Sequence, residues 1–196
     1  MIYEKIELNA EAYMITYIID DPLDAVRKRP VVIICPGGGY EYCSLREAEP
    51  VASAFNAAGI HAVVVYYRVF ARYPASLKDL SDAVCIVRDN AAKWRIDSGR
   101  VVVCGFSAGG HLAASLGVFW NSEPEIKRQD KKNMPNGMIL AYPVITSGRY
   151  AHEGSIKIAS GGNTELPEKM SLEKQVTEDC PRAFIRHTFE DAGVPV

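Results

Sequence analysis

The sequence predicts an α/β sandwich built on a mostly parallel, doubly wound sheet, and three observations carry that prediction. Short aliphatic runs recur at 31–35, 61–67 and 101–104, each wholly or nearly apolar rather than alternating, as in strands covered on both faces. A stretch with helical spacing follows each run, and right-handed crossovers turn such an alternation of strand and helix into a parallel sheet. The composition, 48% hydrophobic and 23% charged over 196 residues, lets the chain bury roughly 70% of its unfolded surface and build a core without staples or metals. No repeat or linker interrupts it, so 1–196 is read as one domain, its sheet flanked by helices.

In chain order, 3–8 and 13–19 have strand-like composition on either side of Asn9-Ala10-Glu11 and are expected to form an antiparallel edge hairpin. The run 31–35 is the first central strand. A helix over 47–58 tolerates Pro50 in its first turn and ends at Gly59, where a left-handed cap fits. After the strand at 61–67, Leu77, Leu80, Val84, Val87, Ala91 and Trp94 recur at steps of three and four, one face of a helix over 76–94. The strand at 101–104 runs toward a helix over 110–116, and 138–142 and 183–187 supply later strands. Two polar stretches break the rhythm: 121–136, rich in charge, and 146–180, which contains Gly161-Gly162-Asn163. An insertion as long as the second, placed after a strand's C-terminal end, is expected to act as a lid or substrate wall.

With 22 Lys+Arg against 24 Asp+Glu the net charge is −2, which lacks the basic footprint of a nucleic-acid binder. No run approaches the ~20 apolar residues that cross a bilayer, and the start, Met1-Ile2-Tyr3-Glu4-Lys5-Ile6-Glu7, has no secretion-signal pattern. The expectation is a soluble, cytoplasmic protein without nucleic-acid or membrane partners. Cys35, Cys43, Cys85, Cys104 and Cys180 form an odd set with no C-x-x-C pair and no metal-like spacing to the four histidines. Reduced thiols, and neither metal nor cofactor, are expected.

Gly105-Phe106-Ser107-Ala108-Gly109 fits G-x-S-x-G with a strand directly before it and a helix directly after. So sharp a reversal holds the serine in strained geometry above the sheet, and the helix N-terminus aims free amides where negative charge would develop. A glycine-rich helix start that merely turns the chain is the alternative, against which the flanking elements weigh. Pro36-Gly37-Gly38-Gly39-Tyr40 follows the first central strand. Two of its bare amides, with that of Ala108, are suited to hold a tetrahedral oxyanion. A plain turn or a phosphate loop are the other readings, but a Gly-Lys-Ser/Thr ending and a G-x-G-x-x-G pattern are both missing.

The segments PGGGYEYCSLREAEPVASAFNAAGIHAVVVYYRV, YPASLKDLSDAVCIVRDNA, RVVVCGFSAGGHLAASLG and PRAFIRHTFEDAGVPV resemble the small carbohydrate-active acetyl esterases of the α/β-hydrolase superfamily, the acetyl-xylan-esterase-like or xylanase-B-like group, over 31–196. The resemblance implies an α/β-hydrolase fold, a nucleophile at Ser107 and oxyanion donors at Gly38, Gly39 and Ala108. From the pattern Asp191-Ala192-Gly193-Val194-Pro195 it implies an acid at Asp191; an ordinary turn carboxylate is the alternative, and Glu190 is one residue out of register. Tyr150-Ala151-His152-Glu153-Gly154-Ser155 resembles a family segment near the pocket, which implies a substrate contact at His152, with loop packing as the alternative. Tyr40, the substrate-binding candidate next to the glycine loop, and Tyr42, Tyr67 and Trp120 are the aromatics open to a platform role, with core packing as the alternative for each.

In this superfamily the triad runs Ser, Asp, His, with the histidine after one more strand and helix. No histidine follows Asp191 here. The resemblance therefore implies a partial member, lacking the last strand and helix and nearly inactive by itself. The strand at 183–187 would keep an open edge, through which the chain either forms a homo-oligomer or loses stability. His61, His111 and His187 read as structural, with His187 the fallback base. The leading expectation is a serine esterase acting on a small-molecule ester with a short acyl group, acetyl on a carbohydrate by resemblance. The alternative is a non-catalytic, hydrolase-like binding protein or inactive fragment; a peptidase would need a further substrate-selecting domain.

Overall fold

The computed structural model describes residues 1–24 and 26–194. β1 (Lys5–Glu7) and β2 (Tyr13–Tyr17) form the expected hairpin, turned by Asn9, whose side-chain oxygen accepts the amides of Glu11 and Ala12, each at 3.0 Å. β3 (Arg29–Cys35), β4 (His61–Tyr66), β5 (Ile96–Phe106), β6 (Gly137–Ala141) and β7 (Ala183–Arg186) follow. α1 (Glu49–Ala57), α2 (Ala75–Asp89) and α3 (Ala108–Phe119) fill the first three crossovers. The sheet order is β1-β2-β4-β3-β5-β6-β7, antiparallel where β2 meets β1 and β4 and parallel from β4 to β7. This is the α/β-hydrolase arrangement.

Alternate residues of each central strand supply two cores. Val31, Ile33, Val63, Val65, Val101 and Val103 meet the apolar stripes of α2 and α3, whereas Val32, Ile34, Ala62, Val64 and Cys104 meet α1. A strand that must satisfy both faces can afford no polar position, which is why these runs are continuously aliphatic. Leu77, Leu80, Val84 and Val87 are all buried along α2, as their spacing predicts. The helix stops at Asp89, short of 94, because the Asn90 side chain donates to the Ile86 carbonyl at 2.9 Å and competes with the next helical turn. Trp94 is buried all the same, from a turn.

Other boundaries move for equally local reasons. Residues 45–47 coil as a 3-10 turn, so α1 begins at Glu49. β5 begins at Ile96 because the charged, exposed stretch 97–100 extends beyond the apolar run, past a register shift opposite Arg29 and Val31. The 146–180 stretch contains α4 (Glu153–Ser160) and α5 (Leu166–Met170), and its Ile156, Ala159, Met170 and Leu172 join the core. It is stitched to the body, with the Tyr73 amide bonded to the Ala159 carbonyl at 2.8 Å and the Leu172 amide to Ile145 at 3.0 Å.

β7 ends the sheet, and all four of its residues are exposed, Phe184 at 65% and Ile185 at 61%. Beside it an apolar cleft of about 410 Å³ opens between α3, β6 and β7. No helix among the described residues is long and apolar enough to cross a membrane.

Candidate active site

Ser107 occupies the one-residue turn between β5 and α3 with φ 50° and ψ −119°, a region that L side chains populate only under constraint. The constraint is visible: its amide donates to the Ala141 carbonyl at 3.1 Å, and its carbonyl accepts the amides of His111 and Val144, each at 3.1 Å. The flanking glycines have steric reasons. A Cβ on Gly105 would stand 2.7 Å from the Gly110 Cα and overlap the Gly109 carbonyl, and one on Gly109 would overlap the carbonyl oxygens of Cys35 and Pro36. Thus G-x-S-x-G records the close passage of β3, β5 and α3 beneath the serine.

The glycine loop faces it. The Gly37 carbonyl accepts the Ser44 amide at 2.9 Å, and the Gly38 carbonyl accepts those of Glu41 at 2.9 Å and Tyr42 at 3.2 Å. Gly38 (φ 126°) and Gly39 (φ 68°) both need left-handed backbone, and a Cβ on Gly38 would press into the Tyr42 backbone. With its acceptors consumed inside the loop, the segment leaves donors free: the amides of Gly38, Gly39 and Ala108 meet no acceptor among the described residues. Gly38, Gly39 and Ser107 line one cleft of about 340 Å³, together with His152, Tyr42 and Tyr142. Its rim is polar, carrying Glu41, Ser44, Arg46 and Glu47.

The remaining predicted residues divide. His152 lies in that cleft as the N-cap of α4, its Nδ1 accepting from the Ser155 amide at 3.2 Å and lying 2.9 Å from the Ser155 hydroxyl. With Nδ1 accepting, Nε2 carries the proton and is a donor. Tyr40 does not line the cleft: its ring is 4% exposed in the core and its hydroxyl donates to His111 Nδ1 at 2.8 Å. Its left-handed backbone (φ 65°), directly after Gly39, turns the ring inward. His111 donates from Nε2 to the Met170 carbonyl at 3.2 Å, and burial lowers its pKa to about 4, so it is neutral and structural. Tyr67, buried, donates to the Pro36 carbonyl at 2.6 Å, and Trp120, also buried, donates to Asp179, which assigns both to the core.

Asp191 sits in a turn after β7, where Oδ1 accepts the amides of Gly193 and Val194, each at 2.9 Å. Those two bonds, Val194 first, hold its carboxyl below the usual range. It bonds no histidine among the described residues, and Pro195, the end of its pattern, lies outside them. His187 donates from Nδ1 to the Thr188 carbonyl at 3.0 Å and, with Val194, lines a separate cleft of about 360 Å³. His61 is buried beneath Ile19, whose amide it accepts at 3.0 Å, and burial lowers its pKa to about 4. No group of three or more His, Cys, Asp or Glu able to hold a metal occurs among the described residues.

Two cleft residues escape sequence reasoning. Glu47 accepts the Gly37 amide through Oε2 at 2.7 Å and the Tyr142 hydroxyl through Oε1 at 2.6 Å. Burial first, and then the Glu47 bond, push the Tyr142 phenol well above its ordinary pKa. Neither residue belongs to a spacing pattern, although Glu47 stands in a short charged run beside the loop and Tyr142 directly follows the strand paired to the nucleophile's strand.

The BD-FAE family model matches residues 19–196. The chain is 37% identical over 212 aligned positions to endo-1,4-beta-xylanase B of Butyrivibrio fibrisolvens, covering 100% of this chain and 32% of that protein. It is 31% identical over 150 positions to an acetylxylan esterase of Xylanibacter ruminicola, covering 75% and 28%. The chain thus spans about a third of the length of these curated relatives. Among solved structures, an acetyl ester-xyloside bifunctional hydrolase from Caldicellulosiruptor lactoaceticus superposes with a TM-score of 0.85 at 33% identity, over 98% of this chain and 76% of that one.

Proposed function

We propose, from the premise that the chain belongs to the BD-FAE family and carries the α/β-hydrolase fold, that it is a serine ester hydrolase removing short acyl groups, acetyl foremost, from carbohydrate-like alcohols. One observation carries the reading: Ser107, on strained left-handed backbone, opens into the same cleft as Gly38 and Gly39, whose amides have no acceptor among the described residues.

In this mechanism the Ser107 oxygen attacks the acyl carbon. The carbonyl oxygen takes the negative charge and is held by the amides of Gly38, Gly39 and Ala108, a donor set in which each member typically contributes ~3 kcal/mol. Collapse expels the alcohol and leaves the acyl group on Ser107; water then attacks that ester, releasing the acid and restoring the hydroxyl. Asp191 is the proposed acid, suited to orient an imidazole that would take the serine proton and pass it to the alcohol. None of the four histidine imidazoles hydrogen-bonds the Ser107 hydroxyl among the described residues. Acyl transfer by these 196 residues is therefore expected from Ser107 with water in place of an imidazole as proton acceptor, above what positioning and the oxyanion donors sustain alone and far below the rate of a serine–imidazole pair.

His152 is proposed as a substrate contact, donating from Nε2 to a hydroxyl or ester oxygen. The polar rim of Glu41, Ser44 and Arg46 suits a hydroxyl-rich alcohol better than a long aliphatic one, and relatives named for xylan and acetylxylan support the carbohydrate assignment. All five cysteines are free, which fits a reducing, cytoplasmic setting.

The test is acetate release from an aryl acetate and from acetylated xylo-oligosaccharides, with Ser107→Ala as the reference. The native chain is expected to exceed the variant at least tenfold. Equal rates would overturn the esterase reading and favour a non-catalytic binding protein.

A further inference from the structure

The geometry points to Glu47 as a positioning residue that clamps the oxyanion loop to the end of β6, an inference resting on the esterase reading. Three consecutive glycines give that loop wide backbone freedom; bonds within the loop orient the Gly38 and Gly39 amides, and a tether is still needed to hold the loop's root against the sheet. Gly37 is held at both ends: its carbonyl accepts the Ser44 amide at 2.9 Å and its amide donates to Glu47 Oε2 at 2.7 Å. The second bond fixes the Pro36–Gly37 peptide plane at the root of the loop, and the first fixes the Gly37–Gly38 plane that carries the Gly38 amide.

The other carboxylate oxygen of Glu47 accepts the Tyr142 hydroxyl at 2.6 Å. Tyr142 is itself anchored, its amide donating to the Arg186 carbonyl at 2.7 Å and its ring lying 6.0 Å from that of Phe106, the residue before the nucleophile. Loop, strand end and nucleophile are thereby referred to one another through a single side chain. Their closeness is direct: a methyl group on Gly37 would stand 2.8 Å from Glu47 Oε2 and 3.1 Å from the Ser107 Cβ. Glu47 touches neither the oxyanion site nor the serine hydroxyl by a hydrogen bond; it acts through Gly37.

The test reads the clamp twice in the intact chain: amide hydrogen exchange at Gly37 by NMR, and the kcat and KM of Ser107-dependent acetyl transfer from an aryl acetate. Glu47→Ala removes both acceptors and is expected to speed Gly37 exchange at least tenfold and to lower kcat roughly 100-fold with KM within about twofold. Glu47→Gln is expected to rescue most of both, since its carbonyl oxygen accepts the Gly37 amide and its NH₂ donates to the Tyr142 oxygen. If the alanine variant fails to fold, Glu47→Asp, one methylene too short to bridge both donors, replaces it with the same expectation. Unchanged Gly37 exchange, or faster exchange with unchanged kcat, overturns the proposal. Should the native chain transfer acetyl no faster than Ser107→Ala, the esterase reading fails separately, and the Gly37 exchange alone then decides whether the clamp exists.

Discussion

Replacing Ser107 by glycine should stabilise the protein while abolishing its acyl transfer. At φ 50° and ψ −119° the residue occupies the backbone region of the first central position of a type II′ turn, where glycine dominates. Holding an L side chain there costs about 1–3 kcal/mol. Glycine removes that cost but adds about 0.5–1 kcal/mol of unfolded-state freedom. The balance makes Ser107→Gly about 1 kcal/mol more stable than Ser107→Ala, which keeps the strain and removes only a hydroxyl with no hydrogen bond among the described residues. The comparison is a urea unfolding series on both variants and the native chain, with thermal melts alongside; a domain of this size shifts by about 2–4 °C per kcal/mol. A glycine variant no more stable than the alanine variant would refute the claim that the turn stores strain for the nucleophile.

Two further outcomes follow from the packing. Gly109→Ala is expected to cost about 3 kcal/mol and to reduce acetyl transfer roughly 100-fold, because its methyl would overlap the fixed carbonyls of Cys35 and Pro36 at the root of the glycine loop. Gly117→Ala, which meets only the flexible Met138 thioether, should stay within about 1 kcal/mol; urea midpoints and aryl acetate assays on the pair check both. His111, with its pKa lowered to about 4 by burial, binds a proton more readily in the unfolded chain, near 6.5. Stability is therefore full above about pH 6.5 and falls by about 3 kcal/mol as the pH drops toward 4. Unfolding free energies of His111→Gln measured across that window should show a shallower slope, with the remainder carried by His61, whose pKa is lowered the same way; an unchanged slope would contradict the assignment.

The parts of the site that the sequence by itself determined are those whose physics is local. G-x-S-x-G and the triple glycine are legible because steric exclusion at Gly105 and Gly38 acts within a few residues of chain and leaves a spacing behind. The central strands are legible because burial on both faces forbids polar residues along the whole run. Tyr40 looked like a substrate contact from its place after Gly39, and only the inward turn of its backbone, toward His111, shows it to be core. Glu47 left no signature, since its two partners lie 10 and 95 positions away. The tertiary structure decided those assignments because a hydrogen bond between distant residues imposes no periodicity on either segment. It becomes visible only when the sheet brings the ends of β3, β5 and β6 side by side.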